Sequence, residues 1–339
     1  MDSLTQIVLG AATAEAVVGE KLGNKALLLG AIAGTIPDLD VLSSPFLNPV
    51  TELVVHRSFS HSLLFTIIGG GFFAYLFWKV FEWKKLLFKD LYFLFSLCFL
   101  THILLDTCTT WGTQLLWPFT SYGYALSNVS VVDPFYTVPF LLLLIAVMFC
   151  KRTNPWRSRL NWLGIILSTS YLIAGLFLQK KAERIFEQNL SQQAIKVEKM
   201  ISKTTPFNIF LWSCSAKTQE GYYTGFYSFF DKDEDVNFDF EPSNASLLEP
   251  YLENPDVQTL IKVTKAFYTI EDIDGGISMN DLRFGKFNGW QGEGKGEYVF
   301  TYTLKPLDNG KLDIQQISYR RPVDKAYVEA FYNRVIGVK

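Results

Sequence analysis

HSLLFTIIGGGFFAYLFWKVF, residues 61–81, is an almost uninterrupted apolar run, and it decides the fold class of this 339-residue chain. A transmembrane helix needs about 20 consecutive apolar residues, and this run has that length. Three more runs, at residues 91–111, 135–150 and 160–178, have the same character. The sequence therefore predicts a polytopic helical membrane bundle with four spans.

Two shorter and weaker apolar segments precede these spans, at residues 4–19 and 25–37. Each is too short to predict a span, so we expect two short N-terminal apolar helices on the same bundle. The predicted fold class is mainly α, with a smaller soluble domain after the bundle. We place the membrane domain at residues 1–180, a linker helix at 181–204 and a soluble α+β domain at 205–339.

The soluble domain contains paired strand signals and two helical patterns. A turn containing Asn309-Gly310 is typical of a tight hairpin. The domain has no histidine, and we expect it to act as a lid, a substrate guide or a platform for a protein partner. The predicted elements are hairpins at residues 207–217 with 221–230 and 298–306 with 311–320, and helices at 255–267 and 327–337.

The basic residues predict the orientation of the spans, because short loops rich in Lys and Arg stay in the cytoplasm. Loops 79–90 and 151–159 each hold four basic residues, whereas residues 112–132 hold none. We therefore expect residues 112–132 at the outer face of the membrane, with the C-terminal domain also outside. The net charge of −2 gives no indication of nucleic-acid binding.

This topology brings ionisable residues from separate parts of the chain to the outer ends of the spans. His61 begins one span, while His102 and Asp106 lie near the outer end of the next. The last two are four residues apart, so they share a helix face and can bind one ion. Asp38 and Asp40 follow an apolar helix. Because ionisable groups in membrane helices are costly, they usually mark a functional site.

His56 and Arg57 lie next to this set. His56 is five residues before His61, a poor spacing for one helix face, so we place His56 in a loop and His61 in the first turn of its span. Arg57 can pair with a ligand carboxylate or bind a phosphate through two hydrogen bonds. The alternative for each histidine is a hydrogen-bonded core residue, and His56 and Asp40 can also be partners that support the ligands.

Three other polar residues have structural explanations. Glu15, within the first apolar segment, is either a ligand, a residue facing a polar cavity or a carboxylate near a helix end. Ser3 and Gln6 fit a capping box, with Ser3 as the N-cap and Gln6 reaching back to it. Asp133 precedes a proline and predicts a helix cap.

Four motifs in order carry a family resemblance: MDSLTQIVLG (1–10), GTIPDLD (34–40), HRSFSHSLL (56–64) and HILLDTCTTWGTQLLWP (102–118). Together they resemble the YdjM-type membrane-bound metal-dependent hydrolases, also labelled LexA-binding, inner membrane-associated hydrolases. The resemblance covers roughly residues 1–180. That family is grouped by similarity with zinc-dependent phospholipase C and single-strand-specific nucleases, which are helical and hold zinc through clustered His and Asp.

The resemblance implies a multi-pass protein of the bacterial inner membrane with a metal site. Many relatives carry a histidine at the position of Gln6, so the number of ions, one or two, stays open. The candidate metal ligands are Asp38, His61, His102 and Asp106, with His56 as a further candidate and Asp40 beside them.

The leading hypothesis is a metal-dependent hydrolase that uses zinc, or else manganese, on a phosphoester or lipid-like substrate at the outer membrane face. Asp40 would orient or deprotonate the attacking water, and Arg57 would steady an anionic group. One alternative is a non-enzymatic membrane regulator with a structural metal and a protein partner for its C-terminal domain. Another is a transporter, which the clustering at one membrane face and the lack of an internal repeat disfavour.

Overall fold

The helices of the N-terminal region follow the apolar runs of the sequence. The computed structural model describes residues 1–80, 86–292, 296–308, 311–319 and 324–338. Lys84 and Lys85 of the predicted basic loop, and the predicted Asn309-Gly310 turn, lie outside the described residues. The α-helices are α1 (Ser3–Leu22), α2 (Asn24–Thr35), α3 (Pro49–Val55), α4 (Leu63–Val80), α5 (Phe88–Thr107), α6 (Pro134–Phe149) and α7 (Pro155–Gln192), and 3₁₀ helices cover Pro37–Phe46 and Phe59–His61.

The predicted helical membrane bundle is confirmed, with one change in which segments are long enough to span. Helix α6 has only 16 residues, whereas the 3₁₀ helix Pro37–Phe46 extends α2 to a segment of 23 residues. Sequence reasoning missed this extension because Pro37, Asp38 and Asp40 interrupt the apolar pattern. By length and composition, the segments able to cross a membrane are Asn24–Phe46, Leu63–Val80, Phe88–Thr107 and Pro155–Gln192.

Helices α1 and α2 approach each other closely at glycines. A Cβ atom built on Gly30 would lie 2.2 Å from the carbonyl oxygen of Gly10. One built on Gly10 would lie 2.8 Å from the Cα of Gly34. These distances are far below van der Waals contact, so only glycine permits this spacing.

Helix α5 is the central helix of the bundle and carries two of the predicted site residues. Its buried side chains, among them Leu94, Phe95 and Phe99, pack in one apolar cluster with Phe65 of α4 and Ala14 of α1. The same helix continues for two more turns to His102 and Asp106, which are also buried. The apolar core therefore fixes the position of the helix end that bears the polar groups.

The C-terminal region forms two antiparallel sheets of four strands each, in the orders β1-β2-β3-β4 and β5-β6-β7-β8. Both predicted hairpins are confirmed, because β2 pairs with β3 and β7 pairs with β8. Residues 199–204, predicted as part of a linker helix, instead form β1, which pairs with β2. The elements are β1 (Lys199–Thr204), β2 (Leu211–Lys217), β3 (Gly221–Ser228), β4 (Phe238–Pro242), α8 (Pro255–Val263), β5 (Tyr268–Ile273), β6 (Gly276–Asp281), β7 (Phe300–Pro306), β8 (Leu312–Ser318) and α9 (Lys325–Val335).

The chain divides into two compact units, and the division falls within α7. In the second unit, Ile185 and Phe186 from the last part of α7 pack against Trp212 and Cys214 of β2. This apolar contact gives the first sheet its core on one face. The first unit comprises Met1–Phe46, Val54–Leu176 and Pro206–Asn208, and the second comprises Leu47–Leu53, Phe177–Thr205 and Ile209–Lys339.

On β1, the amine of Lys203 is enclosed between parts of both sheets. Its Nζ donates a hydrogen bond of 2.6 Å to the backbone oxygen of Arg283, which follows β6. Arg283 itself is buried and forms an ion pair with Asp281 at 2.7 Å. Burial of the amine lowers the pKa of Lys203 to about 7, although Asp281 acts in the opposite direction.

This lysine should make the stability of the second unit depend on pH. The pKa is lower in the folded state than in the unfolded state, so unfolding takes up a proton between pH 7 and pH 10 and stability rises with pH there. We expect the variant Lys203→Met to lose this rise. The measurement is the urea concentration at which buried Cys214 becomes reactive to a membrane-impermeant thiol reagent, for both proteins at pH 7 and pH 9. Equal pH dependence in the two proteins would contradict the prediction.

The glycine contact between α1 and α2 predicts a matched pair of outcomes. Gly30→Ala should lower the thermal midpoint in detergent, because overpacking a rigid contact costs about 1–3 kcal/mol. Gly71→Ala, on α4, is the control, since its nearest neighbour would be 3.8 Å away and alanine gains up to about 1 kcal/mol in helix propensity. A Gly30→Ala protein as stable as Gly71→Ala would show that the two helices can separate without cost.

Candidate metal centre

Four side chains from three segments meet at one end of the first unit. Asp38 comes from the 3₁₀ helix after α2, His61 from the short 3₁₀ helix before α4, and His102 and Asp106 from α5. One ligand atom from each of the four lies within 4.8 Å of all the others. Three of them are buried, and only the Asp38 side chain is partly exposed, at 28%.

The separations of these atoms suit a tetrahedral ion. The Nε2 of His61 lies 3.2 Å from Asp38 Oδ1, 3.2 Å from His102 Nε2 and 3.4 Å from Asp106 Oδ2. His102 Nε2 lies 3.4 Å from Asp38 Oδ1 and 3.8 Å from Asp106 Oδ2. A tetrahedral zinc ion with bonds of about 2.1 Å would hold its ligand atoms about 3.4 Å apart. The site residues therefore fit such an ion in both chemistry and spacing.

Hydrogen bonds from the other ring nitrogens orient both histidines. His102 Nδ1 donates to the backbone oxygen of Gly34 at 2.7 Å. His61 Nδ1 lies 3.0 Å from Ser60 Oγ, and Ser60 in turn donates to Asp40 Oδ2 at 3.2 Å. With Nδ1–H donating to these acceptors, each neutral imidazole would present the Nε2 lone pair to the centre, the arrangement typical of metal-bound histidines.

Asp40 and His56 lie beside the group of four, outside the ligand cluster. Asp40 accepts hydrogen bonds from the backbone N–H of Arg57 at 2.9 Å and from His56 Nδ1 at 3.1 Å. The Oδ2 atom of Asp40 also lies 3.4 Å from Nδ1 of His61, which is one of the group of four. The His56 side chain is about one third exposed, and its ring centre is 6.1 Å from that of His61. His56 follows α3, in a turn as predicted, and His61 precedes α4 instead of lying in its first turn.

Arg57 is buried against Asp106 and is held in a left-handed backbone conformation, with φ of 60°. Its backbone N–H contacts Asp40, and its carbonyl oxygen accepts from the N–H of Gln114 at 3.0 Å. The guanidinium donates through Nη1 to Thr109 Oγ1 at 3.1 Å, and its Nε lies 3.4 Å from Asp106 Oδ2. Such backbone conformations are rare for residues other than glycine and often occur at functional sites.

Asp106 has one oxygen that is satisfied and one that is not. Oδ1 accepts a hydrogen bond of 2.9 Å from Gln6 Nε2 and contacts the α-amino group of Met1. Oδ2 is buried and has no hydrogen-bond partner among the described residues. Because an unsatisfied buried carboxylate oxygen is costly, this atom supports the presence of a cation at the centre.

The structure corrects the predicted capping box. The N-cap of α1 is Asp2, whose carboxylate accepts from the N–H of Thr5, so Ser3 is the first residue of the helix. The Gln6 side chain therefore reaches Asp106 in the site instead of the helix terminus. The same local sequence is compatible with Gln6 in a capping box and with Gln6 in the site. Only the tertiary structure distinguishes the two roles.

The other two polar predictions have clear outcomes. Glu15 forms a buried, two-point ion pair with Arg157 of α7, at 2.7 Å for both contacts, and so has a structural partner away from the centre. Asp133 caps α6 through the N–H of Phe135, as predicted, and also accepts a hydrogen bond from Tyr171. Sequence reasoning missed Ser60 and Thr109, because a hydroxyl next to a site residue has no pattern of its own.

Known proteins provide an independent comparison for this unit. Residues 1–182 match the family model described as YdjM inner membrane protein. The chain is 27% identical to YfhP of Bacillus subtilis over 235 residues, which is 66% of this chain and 68% of that protein. It is 30% identical to the inner membrane protein YbcI of Escherichia coli over 135 residues, 36% of this chain and 76% of that protein. Neither name states an activity, and no solved structure matches the chain.

The hydrogen bonds of Asp40 predict a graded effect on metal affinity. We expect Asp40→Asn to bind zinc with the same stoichiometry as the wild type but about 10–100-fold more weakly, because outer partners of ligand histidines have effects of that size. His56→Gln should also keep the wild-type stoichiometry, since His56 lies outside the group of four. Competition with a chromogenic zinc chelator measures the stoichiometry and the affinity of zinc binding for each variant. Loss of stoichiometric zinc in His56→Gln would instead make His56 a ligand.

Proposed function

Because the chain belongs to the YdjM inner membrane protein family, which its residues 1–182 match, we propose that it is a membrane-bound metal-dependent hydrolase. Asp38, His61, His102 and Asp106 would hold the ion. The observation that carries the proposal is that four ligand atoms lie together at one end of a membrane bundle. Its substrate would be a phosphoester or lipid-like molecule.

The donor set favours zinc over the hard cations. Two imidazole nitrogens and two carboxylate oxygens suit zinc, with manganese as the alternative, whereas calcium and magnesium prefer oxygen ligands alone. The uncharged Nε2 atoms of His61 and His102 add no net charge, so the two aspartates would balance a divalent ion. The buried surroundings of three of the ligands would strengthen these interactions.

When bound, such an ion lowers the pKa of a bound water to about 7 and polarises an ester or phosphoryl oxygen. The protein's own residues would position these groups. Asp40, which accepts hydrogen bonds from several donors, would fix the orientation of His61 through Ser60. This is a different role from the predicted water-activating one, because its oxygens are already engaged. Asp38, as the partly exposed ligand, would mark the side from which substrate approaches.

The matching family and YbcI of Escherichia coli are both named as inner membrane proteins, and four helical segments of this chain are long and apolar enough to span a membrane. We propose that the metal centre lies at the outer face and that the C-terminal sheets lie outside as well. The support is the distribution of basic residues, since loop 151–159 holds four and the residues 112–132 near the site end hold none.

A second candidate is a non-enzymatic membrane regulator with a structural metal. The favouring observation is that the cluster already supplies four protein ligands, and structural zinc sites are closed in this way. The enzymatic proposal requires that one ligand, most readily the partly exposed Asp38, leave room for water or substrate. In the structural case, removing the ion would unfold the first unit, and the zinc-loaded protein would hydrolyse nothing.

Metal content is the direct test of the proposed site. We expect about one zinc or manganese per chain in the detergent-purified wild type, and loss of the ion in His102→Gln and Asp106→Asn. Asp90→Asn is the matched control, because Asp90 lies on the same helix but pairs with Lys21 at the other end. Elemental analysis measures all four proteins. A wild type that stays metal-free after reconstitution with each ion would rule out both candidate functions.

Activity separates the two candidates once the ion is established. We would screen the zinc-loaded wild type against phosphodiesters, phospholipids and carboxylic esters, with Asp106→Asn as the inactive control. Hydrolysis by the wild type alone supports the enzyme. A fully loaded, inactive wild type that unfolds when a chelator removes the ion supports the structural role.

A further inference from the structure

Arg57 has a hydrogen-bond donor that nothing in the described part of the chain satisfies. Its Nε–H is buried and lacks a hydrogen-bond partner, and the carboxylate oxygen Asp106 Oδ2 lies 3.4 Å away without accepting a hydrogen bond from it. Buried unpaired donors on a charged group are more costly than neutral ones. A metal ion cannot satisfy this atom, because the ion accepts electron pairs and the Nε–H needs one.

The proposed ion would leave the Nε–H of Arg57 even less well satisfied. Asp106 Oδ2 faces both Arg57 Nε and the two ligand imidazoles. An ion bound to Oδ2 would withdraw electron density from the one oxygen that attracts the guanidinium. The loaded site would then present an unpaired cationic donor beside Asp106, one of the residues that would hold the ion. An oxygen that carries negative charge suits both the cationic Nε–H and the ion best, because charge-assisted hydrogen bonds are the stronger ones.

Arg57 is also fixed in place. Its backbone contacts hold the left-handed conformation, with Asp40 on one side and Gln114 on the other. The hydrogen bond from Nη1 to Thr109 fixes the far end of the side chain, and Thr109 in turn donates to the backbone oxygen of Asp106 at 2.7 Å. The Nε–H is therefore held in one direction before any ligand binds, as a preorganised anion site requires.

We propose, on the basis of the proposed metal centre, that Arg57 binds one oxygen of a phosphoryl group whose other oxygen lies on the ion. A phosphoryl group has several non-bridging oxygens that share its negative charge, so it can contact Arg57 and the ion at the same time. A carboxylic ester has no charged oxygen before reaction, so it matches the guanidinium and the ion less well. The Arg57 side chain thus selects phosphate chemistry over carboxylic esters, and Thr109 is the residue that positions it.

The phosphoryl group could belong to a lipid or to a soluble ester. A lipid source fits the exposed apolar side chains Leu39, Leu42 and Phe46, which follow Asp38 on the same 3₁₀ helix. Inorganic phosphate tests the shared chemistry. Glycerol 3-phosphate in solution and phosphatidic acid in the detergent micelle then distinguish the two sources.

The experiment is calorimetric titration of inorganic phosphate into zinc-loaded protein after free metal is removed. We expect the wild type to bind one phosphate, and Arg57→Gln to keep its zinc but bind phosphate at least about tenfold more weakly. Thr109→Val, which keeps the guanidinium but releases Nη1, should show a smaller loss. Arg159→Gln is the control, because Arg159 stacks on Trp156 in α7, away from the site.

The outcomes separate this inference from the proposed function. A wild type with stoichiometric zinc that binds no phosphate, or an Arg57→Gln protein that binds it as tightly as the wild type, would overturn the inference and leave the metal centre intact. A wild type without metal would instead overturn the proposed function. If Arg57→Gln does not fold, Thr109→Val decides, and unchanged phosphate affinity in that variant overturns the inference. If phosphatidic acid binds more tightly than glycerol 3-phosphate and the binding depends on Arg57, the inference is supported and the source is a lipid. If glycerol 3-phosphate binds more tightly in the same Arg57-dependent way, the inference is supported and the source is a soluble ester.

Discussion

A buried negative charge on Asp106 is the constraint on which the site end of the bundle depends. An isolated carboxylate in an apolar interior costs several kcal/mol, and the cost falls only if the charge is paired and hydrogen-bonded. Gln6 and the α-amino group of Met1 satisfy one of its oxygens, while Arg57 and the two imidazoles face the other. These groups come from the N-terminal segment through α1, from the segment before α4 and from α5, so the charge joins three parts of the chain that are remote in sequence.

Asp38 distinguishes one side of the centre from the other. It is the only one of the four clustered side chains with appreciable exposure, and it lies on the 3₁₀ helix that lengthens α2. A 3₁₀ helix has three residues per turn and so directs its side chains differently from an α-helix. The change of helix type at Pro37 therefore places the Asp38 carboxylate beside the three buried side chains and also within reach of the surroundings.

The sequence was sufficient for the parts of the fold and site that follow from length and local spacing. Apolar runs identified three of the four segments long enough to span a membrane, and the i, i+4 spacing of His102 and Asp106 placed both on one face of α5. It was insufficient where two explanations share one local pattern. Gln6 matched a capping box, and residues 25–37 looked too short to span until the 3₁₀ helix extended them. The separation of His56 from the group of four likewise depends on tertiary hydrogen bonds to Asp40, which no spacing rule contains.

The glycine contact between α1 and α2 also reaches the site. Gly34, which packs against Gly10, uses its carbonyl oxygen to orient His102, and Gln6 lies one turn before Gly10 on α1. The separation of the two helices thus determines where a ligand ring and a carboxylate partner sit, although glycine has no side chain to offer either. In a random mutagenesis screen that scores only metal binding, damaging substitutions at Gly10 and Gly34 would appear alongside those at the four clustered residues. A map of intolerant positions would then outline the backbone that spaces the site as well as the groups that bind within it.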